Sequence, residues 1–260
     1  MKISDYQDGQ FDIVDVNSLF ELTEISGGLI IQYCPRLKNL EGLNNIQHIG
    51  NNLSISFNDS LSSLIGLGNV VYVDGDLSIS SNTSLPSLIG LDGLNSVGGR
   101  LTISNNQLLD DMTALGQLTE IGEDVEISYC LVYNLSIGNN ITHINGNLII
   151  NNLENLVSLI GLESIDSIDN KLQINGCDRL KSFVGLANNI YLKSLELRDN
   201  DSLLTISNLI HFNGIDRIYI SNNDQLVSLD GFENVEKLFR ITIEGNSSLA
   251  NLNSFTNLDV

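Results

Sequence analysis

The stretch LSISFNDSLSSLIGLGNVVYVDG, residues 53–75, decides the fold. It returns nearly letter for letter as LSISSNTSLPSLIGLDGLNSVGG at 77–99 and as LTISNNQLLDDMTALGQLTEIGE at 101–123, a step of 24 residues. Its first apolar residue recurs at Leu29, Leu53, Leu77, Leu101, Val125, Leu148, Leu172, Leu195, Ile218 and Ile241, in steps of 24 or 23. A period in the range of roughly 20–30 residues, sustained this long, is the mark of a solenoid.

Counted from that first residue, apolar side chains recur at +2, +8, +11, +14, +17 and +20, with Asn or Cys at +5 and usually Gly at +13. Only the first two positions alternate, which predicts one short strand per unit with one side facing inward. The remaining every-third spacing fits neither a strand nor a long α-helix. It predicts a tight arm of turns and 3₁₀-like segments, with little regular α-helix. Gly42, Gly66, Gly90, Gly161, Gly185 and Gly231 supply a bend that a Cβ would obstruct, and Ser63, Ser87, Ser158, Ser182, Thr205 and Ser228 can bond the turn's own backbone. One turn alone buries too little apolar surface to offset the entropy of ordering it, so the turns must stack. Ten strands about 4.8 Å apart make one parallel sheet on the order of 45–50 Å long.

The cysteines support this register. Cys34, Cys130 and Cys177 all fall at +5, where other units place Asn58, Asn82, Asn106, Asn200, Asn223 and Asn246. In a stacked solenoid they lie roughly 19 Å and 10 Å apart, beyond disulfide reach, and are expected free, buried and inert. The Asn residues read as a structural ladder satisfying buried turn backbone. Asn58, Asn82, Asn200 and Asn246 stand in glycosylation sequons, which burial would block. Leu153 breaks the +5 series, and the unit at Val125 has lost one residue near Leu131, where a local kink is expected.

Residues 1–27 keep the arm spacing (Ile13, Val16, Leu19, Leu22, Ile25) with a polar strand half, and are expected to form a degenerate N-terminal capping turn ahead of tandem repeats over 28–260. At the other end Phe255 and Leu258 are expected to lie unshielded, leaving the last turn uncapped and open to end-to-end association. The two prolines, Pro35 and Pro86, both lie inside units, so no proline-rich linker divides the chain.

The net charge is −20, with 21 acidic and 4 basic residues in 1–170 against 11 and 8 in 171–260. Phosphate binding needs a basic stripe, so nucleic acid is disfavoured as a partner, and so is anionic lipid. No apolar run reaches the roughly 18 residues of a membrane span, so no membrane insertion is expected. The start, MKISDYQDGQ, lacks the basic and apolar regions of a secretory signal.

The phrases GNNLSISFNDSLSSLIGLGNV (50–70), GGRLTISNNQLLDDMTALGQL (98–118) and GNLIINNLENLVSLIGLESI (146–165) resemble leucine-rich repeats, and within that class receptor L-domain repeats. The resemblance covers nearly the whole chain. It implies a right-handed parallel solenoid of about ten 23–24-residue turns that binds protein or glycan on the outer face of its strands. It also implies an extracellular or cell-surface setting, which reads the chain as a processed or trimmed piece. The disulfide-rich flanks of vertebrate receptors of this kind are missing, which argues against hormone or growth-factor binding.

On that outer face, +1 and +3 point outward, flanked by −1, −2 and +4. The face shifts from acidic, at Asp76, Glu123, Asp124 and Glu126, to mixed-basic, at Lys171, Arg198, Arg217 and Arg240. Aromatic rings beside Asn, Asp and Arg suit sugar stacking or a protein contact. The expected ligand-binding residues are Tyr219, Arg198, Arg217, Arg240 and Glu196, with Tyr129 and Glu126 earlier on the face. The alternative is a structural spacer or surface-coat element with an inert face. No enzyme, cofactor or metal is expected. His48, His143 and His211 fall in distant units, and Asp110, Asp111, Glu123, Asp124 and Glu126 do not converge. Asp74 and Asp76 beside those acidic turns offer oxygens for Ca²⁺, but no D-x-D-x-D-G loop is present.

Overall fold

A computed structural model describes residues 1–4, 13–187, 189–207 and 211–259. The chain is a parallel β-solenoid. Each unit's first residues form a strand, Leu29–Gln32, Leu53–Ser56, Leu77–Ser80, Leu101–Ser104, Val125–Ser128 and Leu148–Asn151 in the first six. Four longer ones follow, Ser167–Asn175, Asn189–Arg198, Arg217–Ser221 and Arg240–Glu244. The Cα register joins Leu29, Leu53, Leu77, Leu101, Val125, Leu148, Leu172, Leu195, Ile218 and Ile241 in one row, the row read from the sequence. These strands belong to a single 13-stranded sheet.

The row begins earlier than the spacing suggested. Lys2–Ser4 is a strand paired in parallel with Leu29–Gln32, Ile3 opposite Ile31. One buried isoleucine and three ladder positions suffice to seat a segment that looks polar overall. Residues 5–12, which follow it, lie outside the described residues.

The arms contain the expected 3₁₀ turns at Asn17–Leu19, Glu41–Leu43 and Thr113–Gln117. They also carry a feature not anticipated, a second parallel sheet of five two-residue strands: Glu24–Ile25, His48–Ile49, Tyr72–Val73, Ser96–Val97 and Glu120–Ile121. Beyond these turns the arm strand joins the main sheet: it runs on into the main strand in Ser167–Asn175 and Asn189–Arg198, with a register irregularity between Ile168 and Lys171, while His143–Ile144 and His211–Asn213 stay separate and pair with those two.

The inward positions form columns along the whole stack. In the unit at Leu53, the residues Ile55, Leu61, Leu64, Leu67, Val70 and Val73 are all buried, and the same set repeats from turn to turn. At +13 the bend is real: Gly66 has φ +118° and Gly185 φ +100°. Near the C-terminal end Phe212, Phe232 and Phe255 stack at 4.7 and 5.1 Å between centroids. Phe255 and Leu258 are therefore half-covered against the core rather than unshielded. The last strand is looser, Ile241 being 39 % exposed where Ile218 is buried.

Candidate functional site

Three repeating devices fix what the outer face can present. The first is the +5 ladder. Asn82 Oδ1 accepts from the backbone N–H of Asn58 (3.2 Å) and from its side-chain amide (3.1 Å), while Asn82 Nδ2 donates to the carbonyl of Ile55 (3.0 Å). Asn106, Asn200, Asn223 and Asn246 repeat the arrangement. Each amide thus satisfies two backbone groups of the preceding turns, groups that burial would otherwise leave unpaired. Asn246 is only half-buried, so burial closes the sequons at Asn58, Asn82 and Asn200 but not at Asn246.

Cysteine fills the same slot with a thiol that donates to a carbonyl of its own strand, Cys34 to Gln32 (3.3 Å), Cys130 to Ser128 (3.3 Å) and Cys177 to Asn175 (3.7 Å), as Asn82 Nδ2 also does to Ser80 (3.1 Å). All three thiols are free and buried. Burial pushes Cys130 from 9.0 up to about 11 and Cys177 up to about 12. At neutral pH thiolate, the reactive form, is nearly absent. A thiol reagent is expected to find almost nothing in the native protein and three thiols after denaturation; recovery of a single thiol would overturn this register. The unfolded chain loses these protons first, so the stabilisation is whole below about pH 9 and is lost as pH climbs through 11–12.

The second device went unread in the sequence. At −1, Asn52 Oδ1 accepts from the Asp76 N–H (2.9 Å), Asp76 Oδ1 from the Arg100 N–H (2.9 Å), and Asp124 Oδ1 from the Asn147 N–H (2.7 Å). A Cβ at Gly75, Gly99 or Gly146 would fall 2.1–2.3 Å from those oxygens, which is why glycine precedes the strand there. Asp76 and Asp124, weighed above as calcium ligands, are spent on backbone. Among the described residues no group of three or more His, Cys, Asp or Glu is placed to hold a metal ion.

The third device is a left-handed residue at +4. Tyr33, Phe57, Ser81, Asn105, Tyr129, Asn152, Asp199 and Asn222 have φ between +52° and +56°, and Gly176 and Gly245 have +64° and +65°. Asn, Asp and Gly tolerate this conformation, whereas a bulky residue in it is strained. Tyr33 and Phe57 stack there at 4.9 Å.

Against this frame the predicted residues divide. Glu196, Arg198 and Tyr219 come together. Lys171 Nζ lies 3.1 Å from Glu196 Oε2, Arg198 Nε lies 2.9 Å from Glu196 Oε1, and the Arg198 guanidinium sits 3.9 Å over the Tyr219 ring. The Tyr219 hydroxyl donates to Glu244 Oε1 at 2.8 Å. Arg198 Nε is buried without hydrogen-bond geometry toward Glu196, so that attraction is Coulombic, and Asn175 Oδ1 alongside has no donor. Arg217 turns away to Asp216 (3.3 Å) and the Phe239 ring (5.0 Å). Arg240 forms no ion pair among the described residues. Glu126 accepts from Ser128 Oγ at 3.3 Å and, with Tyr129, stands three turns from the cluster, on the order of 14 Å. They belong to a different place on the face.

At +3, expected to point outward, Ser56, Ser104, Ser128 and Ser221 are buried, because a small side chain between strands this close is covered by larger neighbours, while Ser80 is half-buried. The first half of the face therefore presents chiefly +1 and +4.

The arms place one further constellation, His143 Nδ1 at 2.7 Å from Ser167 Oγ and His143 Nε2 at 3.4 Å from Asp169 Oδ1. Both His143 and Asp169 are more than a third exposed. In bulk solvent such a set lacks the water-excluded, preorganised field that makes a nucleophile effective. His48 pairs with Asp74 at 2.9 Å, and the side chain of His211 lies outside the described residues.

The register and the ladders define the class, a parallel β-solenoid built from turns of 23–24 residues. No family model, curated protein or solved structure matches the chain.

Proposed function

We propose that the chain is a non-enzymatic binding scaffold of the leucine-rich, receptor L-domain-like kind, which recognises a protein or glycan on the outer face of its long sheet at a cell surface or outside the cell. The observation that carries this reading is the cluster of Lys171, Glu196, Arg198, Tyr219 and Glu244 on adjacent strands. Glu196 is largely covered in both ion pairs, and the attraction is offset by stripping water from the charges, so folding gains little from them. They do hold a cation, a ring and carboxylates in fixed positions, as recognition surfaces require.

The spacer reading draws support from one feature, the buried serines, which leave much of the remaining face with few projecting groups. A binding screen against proteins and glycans separates the two. With a partner in hand, Arg198→Ala and Tyr219→Ala are each expected to weaken binding by about tenfold or more, with the circular dichroism spectrum unchanged. Unaltered affinity in both variants would refute the patch, and no specific binding at micromolar concentration would refute the scaffold reading.

A further inference from the structure

The unit at Val125 is one residue short, and the structure shows where the loss falls. In other turns the +8 N–H closes a tight turn on the +5 carbonyl, as Leu61 does on Asn58 (3.0 Å), Leu109 on Asn106 (3.0 Å) and Leu180 on Cys177 (2.9 Å). After Cys130 that turn is absent, and the Leu131 N–H instead reaches across to the carbonyl of Leu109 (2.8 Å). Without that tight turn the short unit leaves a notch between its neighbours. The result is a cleft of about 450 Å³ at the edge of the sheet, bounded by Asn105 and Gln107 on one side and Asn152, Glu154 and Asp178 on the other, with Tyr129 beside it.

Two observations point to a ligand. The first is open hydrogen-bonding capacity. Elsewhere the corresponding side chains bond across turns: Thr83 to Asp59 (3.4 Å), Ser247 to Asp224 (3.0 Å) and Asn222 to Asp199 (2.9 Å). Around the notch Gln107, Glu154, Asp178 and the Tyr129 hydroxyl make no side-chain hydrogen bond to a described residue, and Gln107 and Glu154 flank the shortened unit, where Leu131 stands at the offset that carries a polar side chain in them. The second is Tyr129 itself, 54 % exposed at φ +53°. Asn105 and Asn152 occupy the same position in the adjacent turns without that strain. Tyr33 and Phe57 share that conformation but stack on each other at 4.9 Å, whereas Tyr129 has no ring partner among the described residues and stands against the cleft instead.

We propose that this notch is a saccharide subsite: one pyranose ring lies against Tyr129, its hydroxyls shared among Glu154, Asp178 and the amides of Asn105, Asn152 and Gln107. A ring face carrying C–H groups matches the negative face of an aromatic, and carboxylates accept from vicinal hydroxyls. The volume falls in the roughly 300–1,000 Å³ range of small-molecule sites. No lysine or arginine lines the cleft, so it selects neutral or amine-bearing sugars and rejects uronic acids. This deepens the binding-scaffold reading by naming a ligand class, and rests on it only in that the chain binds something.

Saturation-transfer NMR with glucose, N-acetylglucosamine, glucosamine and glucuronic acid tests it on the full chain. Transfer to at least one of the first three and none to glucuronic acid is expected. Tyr129→Asn is expected to reduce the transfer at least tenfold while the thermal midpoint stays or rises, since asparagine relieves the strain. Glu154→Gln should weaken it further, and Arg198→Ala should leave it intact. Absence of transfer from all three sugars, equal transfer to glucuronic acid, or full transfer in Tyr129→Asn would each overturn the subsite. None of these results touches a protein partner lost in Arg198→Ala, so the two readings fail separately.

Discussion

Asn82→Ala is expected to cost about 3–5 kcal/mol and Asn82→Cys only about 1–2 kcal/mol, read from urea midpoints. The alanine leaves the Asn58 backbone N–H and the Ile55 carbonyl without this partner in a fully buried turn, and the Asn58 amide with only its bond to the Ile31 carbonyl (3.0 Å). Each orphaned group costs about 1–3 kcal/mol when water cannot replace the partner. Cysteine keeps a polarisable, hydrogen-bonding group in the slot without a cavity, as Cys130 and Cys177 already do in their own turns. If the two variants proved equally stable, the ladder would be a filler of volume rather than a provider of hydrogen bonds.

Gly66→Ala is expected to be comparably damaging, on the order of 3–5 kcal/mol, whereas Gly68→Ala should lie within about 1 kcal/mol of the parent. A Cβ on Gly66 would sit 1.8 Å from the Leu40 carbonyl oxygen, and the φ of +118° is one that L-residues rarely adopt. Backbone on the adjacent turn cannot yield without shifting the stack. Gly68, two residues on, has nothing within 4 Å of its would-be Cβ. The contrast isolates the bend from the ordinary entropy of losing a glycine. Equal stability of the two variants would mean that the arm is not held at van der Waals distance from its neighbour.

Most of the architecture is legible in the chain because one residue type per position does one job. The Leu29-to-Ile241 row, the inward columns and the equivalence of cysteine with asparagine at +5 all follow from a fixed step, and the strand register reproduces that step. What escaped has a physical reason in each case. Two-residue strands such as Tyr72–Val73 are too short to alternate visibly. The left-handed +4 position is masked by Tyr33, Phe57 and Tyr129, residue types that do not announce that conformation. The −1 ladder was hidden because Asp76 and Asp124 look like surface charge until the N–H groups facing them are located. Of the face, the Glu196, Arg198 and Tyr219 grouping was foreseeable, since Glu196 and Tyr219 share the +1 offset on adjacent strands and Arg198 lies two residues along on the same side. The departure of Arg217 toward Asp216 and Phe239 was not, since it depends on which of two neighbours a long side chain selects.

The interruption at Cys130 and Leu153 has a mechanical meaning. Three amides, Asn58, Asn82 and Asn106, zip the early coils together, and three more, Asn200, Asn223 and Asn246, zip the late ones. Between them the seam rests on sulfur and hydrocarbon, and leucine there offers no oxygen to bridge with. Along that seam the coils are joined by strand pairing and the buried columns, with no amide stitch at +5 between them, so its cohesion beside the notch depends on backbone and hydrocarbon.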